Sequence, residues 1–157
     1  FYHFFKSKED FARAVLDAYE RDLVDWRNEI FRDTSRSPLQ RLRHYFAAIE
    51  RDHVAEAPLG GCLFGVLSQT AAARSPEFRA RLARVFSKWE AQLSELLKEA
   101  QSLGEVDPGL DARETAAFLV DCYEGTLVRM KADGDRKSLR RFQRLANKLL
   151  GTTTQLQ

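Results

Sequence analysis

Phe1-Tyr2-His3-Phe4-Phe5-Lys6-Ser7-Lys8-Glu9-Asp10 opens the chain with an abrupt change of character. Five ring-bearing residues give way to a helix start. A Ser side chain accepts hydrogen bonds from the backbone N–H groups of the turn that follows it, and an acid three residues later belongs to a capping box. Ser7 and Asp10 have that spacing, and Glu9 adds negative charge to the first turn. A helix is therefore expected from Lys8, with a different element ending just before Ser7. Tyr2, His3, Lys6 and Lys8 gather a phenol, an imidazole and two ammonium groups at this corner. Such groups bond phosphate oxygens and base edges; an aromatic terminus packing on its neighbour is the plainer alternative. The chain opens on Phe rather than Met, so an upstream segment is expected.

The totals limit the rest. A chain of 157 residues, 44% hydrophobic and 31% charged, fits one soluble domain with a sizeable core. The net charge of +2 is too small for the whole chain to act as a polycation on nucleic acid, so DNA binding needs a local site or the upstream segment. No apolar run approaches the roughly 20 residues that span a bilayer. Cys62 and Cys122 are far apart and form no CxxC, which argues against a disulfide scaffold or zinc site and fits a reducing cytoplasm. His3, His44 and His53 have no metal-ligand spacing with them. No phosphate loop, nucleophile elbow or zincin motif is present, so neither an enzyme nor a cofactor is expected.

No stretch alternates as a strand does. Phe11, Val15, Tyr19, Leu23, Trp26 and Ile30 form a helical stripe running to about Phe31. Ser37-Pro38-Leu39-Gln40 restarts a helix with a cap, a Pro at the first position and a capping-box Gln. Its stripe (Leu39, Leu42, Tyr45, Phe46, Ile49, His53) lasts until Pro58 and Gly60-Gly61. Cys62 to Ala73 reads as a short buried helix. Ser75-Pro76-Glu77 caps the longest helix, which Gly104 stops. Asp111, with Glu114 three residues on, caps a helix to about Gly134. Lys137 to Leu150 is amphipathic, with Arg140, Arg141, Arg144 and Lys148 opposite its apolar face. Gly151 and the Thr-rich tail at 152–157 read as disordered.

The opening stretch resembles the end of the recognition helix and the linker of TetR-family transcription regulators. Two further stretches match: Gly61-Cys62-Leu63 followed by Ser75-Pro76-Glu77-Phe78, and Tyr123-Glu124-Gly125-Thr126-Leu127 with Lys131. The first of these resembles the NemR-like branch of that family. The resemblance implies an all-α fold: residues 1–7 as a remnant of a helix-turn-helix, and 8–151 as an effector-binding and dimerisation core of about six helices. It implies a cytoplasmic, ligand-responsive regulator, chiefly a repressor, that binds a double-stranded DNA operator as a homodimer and releases it when a small molecule or electrophile acts. A helical small-molecule carrier or interaction module is the alternative.

Candidate sites follow from both lines. By resemblance, Tyr2, His3 and Lys8 approach DNA. Trp26, Tyr45, Phe46, His53, Phe86 and Trp89 lie on converging stripes that either line a cavity or fill a core; the family places an effector pocket there, which favours Trp26, Tyr45 and Trp89. The helix after Asp111 is apolar over most of its circumference, more than one neighbour can cover, and Gly125 allows close approach of another backbone. The resemblance makes Leu119, Tyr123, Gly125, Leu127, Phe142, Leu145 and Leu149 a two-fold interface; an intramolecular core is the alternative, as is a basic last-helix face for membrane or nucleic acid. Cys62 follows two glycines at a helix start, where backbone N–H groups favour a thiolate. It reads either as a small buried hydrophobe or, with Lys131 by resemblance, as a redox or electrophile sensor.

Overall fold

The computed structural model describes residues 7–54 and 61–151, with Lys8, Glu9 and 52–54 described by backbone alone. Tyr2, His3 and the 152–157 tail lie outside the described residues, as does the side chain of Lys8. The elements are α1 (Lys8–Phe31), α2 (Pro38–Ala48) running on as a π-helical segment (Ile49–Val54), α3 (Leu63–Thr70), α4 (Pro76–Ser102), α5 (Ala112–Asp133) and α6 (Lys137–Leu150). No strand occurs among the described residues.

Helix starts follow local chemistry. Ser7 Oγ accepts from Asp10 N–H at 3.0 Å. Asp10 does not return the bond that a capping box needs; its carboxylate turns to Arg13 at 3.6 Å. Ser37 and Gln40 form the full box, 3.4 Å from Gln40 N–H to Ser37 Oγ and 3.0 Å from Ser37 N–H to Gln40 Oε1. Ser75 accepts from Phe78 N–H, and Asp111 from both Arg113 and Glu114 N–H. Each such cap contributes about 1 kcal/mol. Gly104 and Gly134 end α4 and α5 at φ +70° and +67°, a left-handed conformation that glycine adopts without a Cβ penalty.

Leu16, Leu42, Leu93, Leu97, Leu119, Met130, Leu139 and Leu150 form the fully buried heart of one core. α4 packs along α5 and α5 along α6, while α2 crosses against α1, α4 and α6. Arg41 staples three helices from inside. Its Nη1 donates to the Phe31 carbonyl at 2.6 Å and its Nη2 to Glu99 Oε1 at 2.5 Å.

α1 is joined to α4 by polar links instead. Arg13 meets Glu77, Arg81 meets Asp17 and Glu20, Lys88 meets Glu20, and Arg27 meets Gln92. Near its N-terminus, Leu16 is the fully buried anchor, while Phe11 and Val15 of the expected stripe are 41% and 39% exposed. Exposed ion pairs add little stability, so the Lys8 end of α1 is held more lightly than the Phe31 end.

Two elements differ from expectation. α2 stays α-helical only to Ala48, and widens into the π-helical segment where Ile49 meets the interior. α3 is shorter than 62–73 and not buried all round: Phe64 is its one buried side chain, because the helix rests on α4 by a single face.

Candidate functional site

Three helices turn aromatic and charged side chains inward to leave a cavity of about 160 Å³. α1 contributes Tyr19, Leu23, Trp26 and Arg27; α2 contributes Tyr45; α4 contributes Trp89. Cys62 and Phe64 close one end, and Tyr123 and Leu127 of α5 form the floor. Trp26, Tyr45 and Trp89 thus share one cavity. Trp26 and Tyr45 ring centroids are 5.5 Å apart, and Trp89 meets Tyr123 edge-on at 5.6 Å.

The polar groups of this cavity are sparse and pointed. Burial pushes the Tyr45 phenol above its ordinary pKa, opposed by the neighbouring Arg27 charge. The Tyr19 hydroxyl accepts from Leu63 N–H at 3.3 Å. Trp89 Nε1 is buried beside the Tyr45 hydroxyl without a hydrogen bond of good geometry. Arg27 is only 7% exposed, and its guanidinium stands 5.8 Å from the centre of the Trp89 ring. A helical pattern alone reads Arg27 and Glu124 as solvated positions; Arg27 was not singled out, and Glu124 figured only within the family match, with no role assigned to it.

Cys62 does not occupy the environment expected of a sensor thiolate. It caps α3 without a side-chain hydrogen bond to the backbone and is 7% exposed. Burial and the carboxyl of Glu124 push its thiol up to about 12, overriding the helix-start N–H groups that pull the other way. Lys131 is exposed, and it leans on the positive-φ Gly61, where an added Cβ would lie 3.0 Å from its Cε. The acidic neighbour of the sulfur is Glu124. Iodoacetamide at pH 7 is therefore expected to leave Cys62 nearly unmodified in the folded chain while labelling it readily in urea; peptide mass spectrometry reads the difference.

A second concave surface lies outside, between α5 and α6. Its groove of about 480 Å³ is walled by Phe118, Cys122, Gly125, Phe142, Leu145 and Leu149 among others. Phe118, Val128 and Leu145 are 56%, 50% and 53% exposed. Of the residues expected at a two-fold interface, Gly125, Leu145 and Leu149 are on this face. Leu119 and Phe142 touch the groove from within the core. Tyr123 and Leu127 turn away to the internal cavity, because α5 divides its wide apolar circumference between two surfaces. Phe118 was missed because it reads as an isolated apolar residue on a helix.

Among the described residues no cluster of His, Cys, Asp and Glu is suited to a metal, and no helix is long and apolar enough to cross a membrane.

Comparison with known proteins agrees with this architecture. The family model TetR_C_13, "Tetracyclin repressor-like, C-terminal domain", matches residues 38–146. Transcriptional regulator AcuR of Cereibacter sphaeroides is 32% identical over 155 residues, 99% of this chain and 71% of that protein. HTH-type transcriptional repressor DhaR of Mycobacterium sp. strain GP1 is 32% identical over 142 residues, 90% of this chain and 70% of that one. The crystal structure of regulatory protein TetR from Rhodobacter sphaeroides superposes with a TM-score of 0.87 at 32% identity, covering 94% of this chain and 78% of that one. Reduced E. coli NemR has the same fold, with a TM-score of 0.85 at 19% identity over 98% of this chain and 79% of that one. With its six-helix core and its match to both the family model and the regulators, the chain belongs to the TetR family of ligand-responsive, DNA-binding transcriptional regulators.

Proposed function

We propose that the protein is a homodimeric repressor whose operator affinity is lowered when a small molecule enters the cavity between α1, α2 and α4. The observation that carries this reading is that α1 supplies both ends of the coupling. Tyr19, Leu23, Trp26 and Arg27 line the cavity. Lys8, 11 to 19 residues earlier and so about 17–28 Å along the axis, begins the same helix at the corner to which resemblance to the family assigns DNA contact by Tyr2, His3 and Lys8. A small tilt of a rigid helix about its well-packed Phe31 end is magnified at its lightly held Lys8 end. In a dimer that tilt changes the separation of two recognition helices from the roughly 34–36 Å of one DNA turn. The effector acts only through its different affinity for the two separations.

A mobility-shift assay with the full-length protein on DNA upstream of its own gene is the test. A shifted band that a cavity ligand abolishes is expected. Lys8→Ala is expected to weaken binding evenly across operator sequences and to reduce the slope of log affinity against log salt by about one, as loss of one phosphate contact does. Failure to shift such DNA at micromolar protein would overturn the repressor reading. The buried, protonated state of Cys62 favours reversible occupancy over covalent modification of that thiol as the trigger.

A further inference from the structure

We propose that the effector is a small monocarboxylate held by Arg27, an assignment that rests on reading the cavity as the effector site. Arg27 carries a permanent charge at 7% exposure on the cavity wall. A buried cation is expensive unless an anion or a set of hydrogen bonds compensates it. Among the described residues no carboxylate stands within ion-pair distance of it. Glu20, the acid nearest in effect, already pairs with Arg81 and Lys88. The side chain is instead fixed from behind by a neutral amide. Arg27 Nε donates to Gln92 Oε1 at 2.7 Å, and Gln92 Nε2 donates in turn to Asn28 Oδ1 at 3.1 Å. That chain of bonds uses one edge of the guanidinium and orients the rest.

The Tyr45 hydroxyl is a neutral acceptor within reach of both Arg27 and Trp89, so among the described residues no anion balances the guanidinium charge. Trp89 Nε1, in a side chain 6% exposed, has no hydrogen bond of good geometry. Two carboxylate oxygens satisfy a guanidinium edge and an indole N–H together. One positive charge matches a monoanion better than a phosphate dianion. The space limits the rest of the ligand: a cavity of about 150 Å³ holds a benzene-sized guest, so about 160 Å³ admits roughly six heavy atoms. Leu23, Phe64 and Leu127 suit a short hydrocarbon tail.

The chain's two tryptophans, Trp26 and Trp89, both line this cavity, so intrinsic fluorescence reports its occupancy. Butyrate, butyramide and butan-1-ol share a tail and differ in the head group. Saturable quenching by butyrate, with the amide and alcohol about 10- to 100-fold weaker, is expected from loss of a charged hydrogen-bonded pair. Arg27→Met is expected to weaken butyrate by a similar factor. Gln92→Glu, which places an internal carboxylate against the guanidinium, is expected to do so with Arg27 still present, so a folding defect in either variant leaves the other as a test. Amide or alcohol binding as tightly as butyrate would overturn the carboxylate while leaving the cavity a ligand site. No response to any of the three at millimolar concentration would overturn the carboxylate, while the mobility-shift assay tests the effector site separately.

Discussion

On the proposed homodimer, Leu145→Asp or Phe118→Asp is expected to give a folded monomer. Both side chains are more than half exposed in the single chain, so neither supports the core. Both belong to a groove whose other walls are Leu149, Cys122 and Gly125. Covering it with a second copy returns about 1.5–3 kcal/mol for each large apolar side chain removed from water. In a two-fold interface every residue appears twice, so one substitution forfeits that gain twice and leaves two carboxylates facing an apolar surface. A cost of this kind reaches several kcal/mol per group when no partner is found. The dissociation constant should rise by at least about a thousandfold. Light scattering after size exclusion reads the mass, and circular dichroism checks that helix content and melting stay near those of the parent. Leu119→Asp is the contrast: at 2% exposure it lies in the core and should unfold the chain rather than divide it. A Leu145→Asp protein that stays dimeric at micromolar concentration would place the interface elsewhere.

How much of this was legible in the sequence depended on how local the cause was. Ser7, Ser37, Ser75 and Asp111 each cap a helix through atoms two or three residues away, so the starts of α1, α2, α4 and α5 could be read from spacing. The converging aromatic stripes left open whether Trp26, Tyr45 and Trp89 line a cavity or fill a core; the family resemblance favoured the cavity, and all three lie on the wall of one. Which face of a nearly all-apolar helix looks inward was not legible. α5 sends Tyr123 to the cavity and Phe118 to the outside, and only the positions of α4 and α6 decide that. Arg27 and Glu124 escaped for a related reason: a charged residue on a helix reads as solvated until a neighbouring helix is laid over it. Cys62 went the other way. Its place at a helix start argued for a lowered thiol pKa, but the burial and the carboxyl that reverse the shift come from distant parts of the chain.

Glu124→Gln is expected to abolish a large fall in stability between mildly acidic and neutral pH. Burial pushes the Glu124 carboxyl up to about 7 from an ordinary 4.5, with the Cys62 thiol pulling it modestly down. The carboxyl is wedged against α3, where an added Cβ on Gly65 would lie 2.1 Å from Oε2, and its Oε1 is buried without a partner. Lys131 on the same helix is exposed and forms no ion pair with it among the described residues, while Tyr19, Tyr123 and Cys62 face this region as neutral groups. The folded chain therefore holds a proton here that the unfolded chain has released. Its stabilising effect is complete below about pH 4.5, declines as pH rises, and is gone above about 7. The interval corresponds to about 3 kcal/mol. A neutral amide removes the dependence, so the variant should gain on the parent from pH 5 to about pH 7 and level off by pH 8, less the cost of the lost contact with Cys62. Urea denaturation at each pH measures it, with other titrating groups cancelling between parent and variant. Equal pH slopes in the two proteins would show that Glu124 ionises freely in the fold. The same substitution removes the negative charge that raises the Cys62 pKa, so alkylation of that thiol should quicken in the variant. Parallel changes in both readouts would make Glu124 the group that sets the chemistry at this end of the cavity.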